Sequence, residues 1–478
     1  MATKTTLNAR NLESLGAEKL AALLMEISTG SAAAKRRLRI ALAGAQGGGE
    51  VAREVIKRLS SIERSRSFIS WRRVKALKAD LDTQRRVIVD TIAPNDPDEA
   101  LDVMWRFMGL ARSILARCED GNGTILATFD AALDDLGVIA NAARPDPVHL
   151  ARRAFEALQD NDYGQYDRLI EVLAPALGPE GLARLKALVV ELAANPVETP
   201  VEEERQVIGW GANGPLYIDE LDRRRRNQSI RMALEQIADA EGDVDAFIAQ
   251  QNETARSAPM VAVEIARRLL AAGRAPEAWD ALAMFDPGGR LSAPYEWEAT
   301  RIEVLEALGQ KEVAQADRWR CFEQSLDARH LRAHLKRLPD FDDMEAEERA
   351  LAHAGGFPDI HHALAFMVAW PALEQAARLV VARAGELDGD DYVLLTEAAA
   401  ALAERHPLAA TLLLRAMIDF ALEKGRSSRY RHAARHLEEC RALAGRIADF
   451  GGFPAHPVYE RGLVQRHGKK SGFWKWVG

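Results

Sequence analysis

Apolar positions along most of this chain recur every three or four residues, the period of a helix with one buried face. The pattern is clearest between Met260 and Leu326. Val261, Ile265 and Leu269 make the stripe of one helix, Gly273 ends it, and Glu277-Ala278-Trp279 opens a second. Thirty-six residues after Gly273, Gly309 ends a helix carrying Ile302, Leu305 and Leu308, and Glu312-Val-Ala314 opens the next. A glycine, free to take positive φ, stops a helix. Ala278 and Ala314, in register with each other, keep the second helix of each unit small where two backbones must approach.

A period of about 34 to 36 residues is that of known helix-turn-helix repeats, so Met260–Leu326 reads as two tetratricopeptide-like hairpins. The same rhythm predicts helices elsewhere. One spans 8–27 with Leu12, Leu15, Leu20, Leu23 and Leu24 inward. Asp96-Pro97 and Asp146-Pro147 are helix starts, with Asp as cap and Pro where its missing N–H is no loss. Gly178 separates helices over 169–177 and 181–188, and further helices span 392–403 and 408–422. Residues 193–226 break the pattern. Pro196, Pro200 and Glu202-Glu-Glu204 read as a linker. Gln206–Trp210 and Pro215–Ile218 then flank a Gly-Ala-Asn-Gly turn, a short β-hairpin near 206–218. Alone it is marginal, so it should dock on helices. The predicted fold is all-α: an N-terminal helical region (1–195), a connector (196–227) and a tetratricopeptide-like α-solenoid (228–478). Phe473, Trp474 and Trp476 are expected to fold back as its terminal cap.

Composition supports helices. Aromatic residues make up only 6% of the 478, while hydrophobic residues make up 48% and charged residues 28%, a globular balance without the aromatic and β-branched richness of sheets. No run of apolar residues reaches membrane-spanning length, and the first ten residues lack the apolar core of a secretory signal, so a cytoplasmic location is expected. Cys118, Cys321 and Cys440 lie far apart in sequence and read as buried small hydrophobes.

Charge is unevenly spread. Residues 35–86 hold fifteen Lys/Arg against five Asp/Glu, a surplus of ten, so the remainder of this −8 chain carries −18. Two readings follow. Lys and Arg here, Arg36, Arg37, Arg72 and Arg73 among them, would neutralise phosphates, with Phe68 and Trp71 stacking on bases. Alternatively they form a solvated face over a buried stripe of Leu38, Leu42, Val55, Leu59 and Ile62, with Phe68, Trp71 and Val74 packing inward. The second is preferred. Arg223–Arg226, including Arg224 and Arg225, carries the same pair of readings, a nucleic-acid patch or the polar start of the next helix.

Resemblances enter through the C-terminal half. His406-Pro-Leu-Ala-Ala-Thr-Leu-Leu-Leu-Arg415, Tyr430-Arg-His-Ala-Ala-Arg-His-Leu437 and the tail residues Tyr459, Leu463, His467, Lys470, Phe473 and Trp474 resemble a bacterial family of helical-repeat proteins of unknown function. They are also similar to the repeat region that follows the finger in SWIM-type zinc finger proteins. Leu7-Asn-Ala-Arg-Asn-Leu-Glu13 and Ile208-Gly-Trp-Gly211 extend the first likeness over most of the chain. The resemblance implies architecture only; the cysteine–histidine finger is absent, so no zinc function carries over. Separately, Arg431 to His436 matches the Arg-polar-x3-His pattern of HEPN ribonucleases. There Arg would stabilise charge on the scissile phosphate and His would move protons.

His330 and His334 lie one helical turn apart but lack the Glu of a His-Glu-x-x-His site. Asp160, Asp162, Asp167 and Glu171 lack the order of a calcium loop. No metal and no cofactor are therefore expected. The preferred reading is a non-enzymatic scaffold whose repeats bind a protein or peptide. A nucleic-acid-binding protein is the alternative, and a HEPN-like ribonuclease using Arg431 and His436 the third.

Overall fold

The computed structural model describes residues 7–44, 48–195, 200, 205–211, 214–285 and 293–477. The chain forms two compact units, Met1–Asn252 and Glu253–Gly478. Both are helical, and the fold is all-α with the helical hairpin as its recurring piece.

In the first unit the helices Gly48–Glu63, Pro97–Met108, Leu126–Ala143, Pro147–Gln159 and Leu169–Ala194 enclose one core that includes Leu59, Met104, Phe107, Phe129 and Leu173. Both Asp-Pro starts cap as expected. Asp96 accepts from the Glu99 N–H at 3.0 Å and Asp146 from the His149 N–H at 2.7 Å, each satisfying a donor the helix leaves unpaired. Gly137 allows Leu126–Ala143 to lie against Leu169–Ala194, since a Cβ there would sit 2.6 Å from the Val172 carbonyl oxygen. The latter helix is broken at Gly178, with φ 55°, where the sequence places a turn. The helix Ile218–Glu241 packs on it and runs through residue 228, the point at which the sequence reading begins the C-terminal array.

The second unit is a run of helices in which each packs on the next and, repeatedly, on the next but one. Its first hairpins are Pro259–Ala271 with Ala275–Ala283 and Tyr295–Ala307 with Lys311–Ser325. Gly273 and Gly309 have φ of 73° and 78°. After each, the next amide reaches back to close the helix end: Arg274 N–H to the Leu269 carbonyl at 2.8 Å, Gln310 N–H to Leu305 at 2.9 Å. Gly425 repeats this device with Arg426 N–H to Ala421 at 2.9 Å. Only a residue without Cβ takes this left-handed turn freely. Ala278 and Ala314 are fully buried, as their register demands.

The strands β1 (Val207–Gly211) and β2 (Gly214–Tyr217) pair antiparallel, Trp210 opposite Pro215. The turn residues Ala212 and Asn213 lie outside the described residues, as do Pro196 and Glu202–Glu204 of the expected linker. Arg205 ties the hairpin to the following helix, meeting Asp219 at 3.0 Å and Glu220 at 2.6 Å and covering the Tyr217 ring at 3.6 Å.

Several expectations are corrected. The helix over 8–27 is two, Ala9–Glu13 and Ala17–Ser28, divided at Gly16 with φ 81°. Ile218 begins a helix, not a strand residue. Leu42 is exposed, and so are Phe68 and Trp71, with only Val74 of that trio buried. For Phe68 the reason is local. Ile69 is extended and bridges the 117–119 segment, accepting from Glu119 N–H at 2.9 Å and donating to Arg117 at 2.8 Å. In extended chain neighbours alternate faces, so Ile69 goes in and Phe68 out, and three-residue spacing does not apply.

Candidate functional site

A cleft of about 520 Å³ in the second unit lies between the helices Tyr392–Leu402, Pro407–Glu423 and Tyr430–Ala444. Its apolar wall comes from Tyr392, Val393, Met417, Ala421 and Ala433; Glu397, Arg429, His432, Arg435 and His436 supply the polar groups. Gly389 makes the shape possible. A Cβ there would meet the Ala416 carbonyl oxygen at 2.1 Å and Phe420 Cβ at 2.6 Å, so only glycine lets the loop lie flat on the Pro407–Glu423 helix. That brings Asp390 to Arg429 at 2.7 Å, while the same guanidinium covers the rings of Tyr392 at 4.7 Å and Phe420 at 5.7 Å. Arg429 is thus held rigidly at the rim.

Glu439 organises the other side, meeting Arg435 at 3.3 Å and His436 Nδ1 at 3.0 Å. His436 is buried, and burial lowers its pKa below the ordinary histidine value despite the neighbouring carboxylate. The neutral ring donates Nδ1–H to Glu439, which leaves Nε2 an acceptor. Arg435 and His432 are exposed. Behind the cleft, Cys440 is fully buried with its thiol pushed up to about 12 by desolvation, so it is an inert filler.

Of the candidate pair Arg431 and His436, only His436 lines the cleft; Arg431 lies 5.4 Å over the Trp476 ring of the tail. Residues five apart on a helix point about 140° from each other, and the packing preserves that divergence.

The basic candidates divide into engaged and free. Arg36 and Arg58 both converge on Asp80, the first at 3.4 Å. Arg72 lies over its neighbour Trp71 at 5.2 Å. Arg37 and Arg73 have no ion-pair partner among the described residues. Arg36, Arg58, Arg73 and Arg117 nevertheless line one recess with Ser61, Ser65, Ser67 and exposed Phe68. Arg224 and Arg225 are exposed within the helix Ile218–Glu241, flanked by Arg223, paired with Asp219 at 3.4 Å, and Arg226, which donates to the Leu192 and Asn195 carbonyls at 2.5 and 2.6 Å. The cluster lies in the second and third turns of a helix that begins at Ile218, rather than at its start.

Sequence reasoning did not find Gly389, Tyr392, Glu397 or Arg429. Gly389, Tyr392 and Glu397 come from a loop and two turns of helix about forty residues before His436, and Arg429 from the short turn just before its helix; no spacing rule joins them, and Asp388-Gly389-Asp390 reads as any surface turn.

No helix among the described residues is long and apolar enough to cross a membrane. No curated protein and no solved structure matches the chain. A family profile does match it, over residues 2–476, and the chain belongs to that family, a family of unknown function, DUF6880.

Proposed function

We propose that the C-terminal unit is a tetratricopeptide-like scaffold that binds an acidic peptide segment of a protein partner in the cleft beside Tyr392 and His436. The observation that carries this reading is the pairing of an apolar wall drawn from three successive helices, with adaptable Met417 in it, and a rim carrying the guanidinium groups of Arg429 and Arg435 beside His432. Such a cleft suits one large apolar side chain with a carboxylate nearby, and helical repeats commonly present extended binding surfaces of this kind. The likeness to the repeats of SWIM-type zinc finger proteins belongs to the same reading. Peptides selected by display against the full chain should share an acidic residue within a few positions of a large apolar one. Their affinity should fall roughly tenfold or more in the double variant His432→Glu, Arg435→Glu. No enrichment, or equal binding by that variant, would refute the proposal.

A second reading, nucleic-acid binding through residues 35–86, is supported by one observation: Phe68 and Trp71 are exposed beside Arg72, Arg73 and the Arg-Ser recess. Exposed rings among cations are what single strands stack on. Binding to arbitrary RNA or DNA that weakens steeply with salt, and is lost in Phe68→Ala, Trp71→Ala, would favour it over the first.

A further inference from the structure

The helices Tyr295–Ala307, Lys311–Ser325 and Ala328–Leu335 bring three chemically different donors together: a carboxylate of Glu298, the thiol of Cys321 and the imidazole of His330. Their ligating atoms all lie within 4.8 Å of one another, and all three residues are buried. We propose that these residues form a zinc site, with Glu298, Cys321 and His330 as its protein ligands.

The chain is bent to make this meeting. Leu326 takes the left-handed conformation, φ 49°, and its N–H closes on the Phe322 carbonyl at 2.7 Å. Asp327 then caps the next helix by accepting from the Arg329 N–H at 2.8 Å. The reversal returns His330, nine residues after Cys321, to the side of the same helix. The ring is held in place by Tyr295, its centroid 4.7 Å away. Donor identity then selects the metal. Thiolate, imidazole and carboxylate together suit zinc, whereas calcium and magnesium take oxygen donors alone.

Geometry and charge both fit. Zinc bonds of about 2.0–2.3 Å place tetrahedral donors roughly 3.3–3.6 Å apart. The 2.8 Å contact between Glu298 Oε2 and His330 Nε2 therefore has to open by about half an ångström, and the thiol, within 4.8 Å of both, to close by no more than about 1.2 Å. On binding, the thiol proton leaves to solvent, and one carboxylate and one thiolate balance the dication, so the buried cluster becomes neutral. The fourth position falls to a solvent ligand. Sequence could not reveal the set, because 23 residues separate Glu298 from Cys321 and neither stands in a metal motif.

The test uses tag-free full chain, stripped with chelator and titrated with Co²⁺ and Zn²⁺. One cobalt per chain should bind with a thiolate-to-cobalt charge-transfer band, and saturating zinc should displace it and raise Tm by roughly 5 °C. Cys321→Ala, with helix content checked by circular dichroism, should lose the band and bind at least about tenfold more weakly; Glu298→Gln should weaken binding likewise. Cys440→Ala should keep the band. A folded wild-type chain without a cobalt-thiolate band, or a band that survives Cys321→Ala, overturns the proposal. The cluster would then be a buried Glu298–His330 hydrogen bond beside an idle thiol.

Discussion

Phe473 and Trp476 stand three residues apart in the C-terminal tail and offer a sharp test of how the second unit is closed. Phe473 is fully buried, packed edge-on against Tyr430 at 6.2 Å and Trp474 at 4.9 Å. Lys470 pins the same turn by donating to the Leu422 carbonyl at 2.5 Å, and Trp474 donates to the His467 carbonyl at 2.9 Å. Trp476, expected from sequence to share this role, is 49% exposed and serves mainly as a platform for Arg431 and Lys475. Truncating a buried phenylalanine removes its transfer free energy and leaves a cavity, about 3–5 kcal/mol in all. For a unit of this size that corresponds to roughly 6–20 °C in Tm. Trp476→Ala should shift Tm by clearly less than Phe473→Ala, because a half-exposed ring gives up about half its transfer free energy and leaves no enclosed cavity. Removing residues 471–478 should match or exceed the Phe473→Ala loss. Thermal melts of the three proteins by circular dichroism decide the matter. Equal, small shifts for Phe473→Ala and Trp476→Ala would refute the cap.

The remaining predictions test close approach, charge and protonation. Gly389→Ala should destabilise by about 2 kcal/mol or more and distort the cleft, since its Cβ would overlap the Ala416 carbonyl; an unchanged urea midpoint would count against the close packing. Asp80→Ala should cost about 2–3 kcal/mol, because Arg36 and Arg58 then lose a shared, mostly buried acceptor; a double-mutant cycle with Arg58→Ala should recover part of that loss, and strict additivity would deny the coupling. Burial lowers the pKa of His334, His436, His456 and His467. The unfolded chain therefore binds more protons below about pH 6.5, and the stability present above that pH is lost as pH falls through the lowered values. Burial raises Asp419, which acts in the opposite sense over the carboxylate range. Melts at pH 7.5 and 6.0 should show the lower Tm at pH 6.0; an equal or higher one would contradict the assignment. On the alkaline side, Cys321 and Cys440, both pushed up to about 12, add stability that is lost as pH rises above their ordinary value near 9.

Local chemistry made the helices legible in the sequence. Gly273, Gly309 and Gly425 end helices because the left-handed turn strains any residue with a Cβ, and Asp96 and Asp146 start them because a carboxylate answers free amides within three residues. These are interactions of residues with their near neighbours, so spacing alone predicts them. The same reasoning failed at Phe68, where a bridge from Ile69 to a segment about fifty residues away replaced a helical period with an alternating one.

Both candidate sites lie on the far side of that line. An all-α chain, the helix ends marked by glycine or by Asp-Pro, the buried alanine seams and the basic segment follow from residues close together in the sequence. Tertiary structure alone decided that His436 would face Tyr392 while Arg431 faced Trp476, and that Cys321 and His330 would meet Glu298. A helix end is set within one turn of the chain. A site is set by which helix faces another helix, and that depends on side-chain volumes and close approaches, such as Gly389 on Ala416, summed over the whole packed unit.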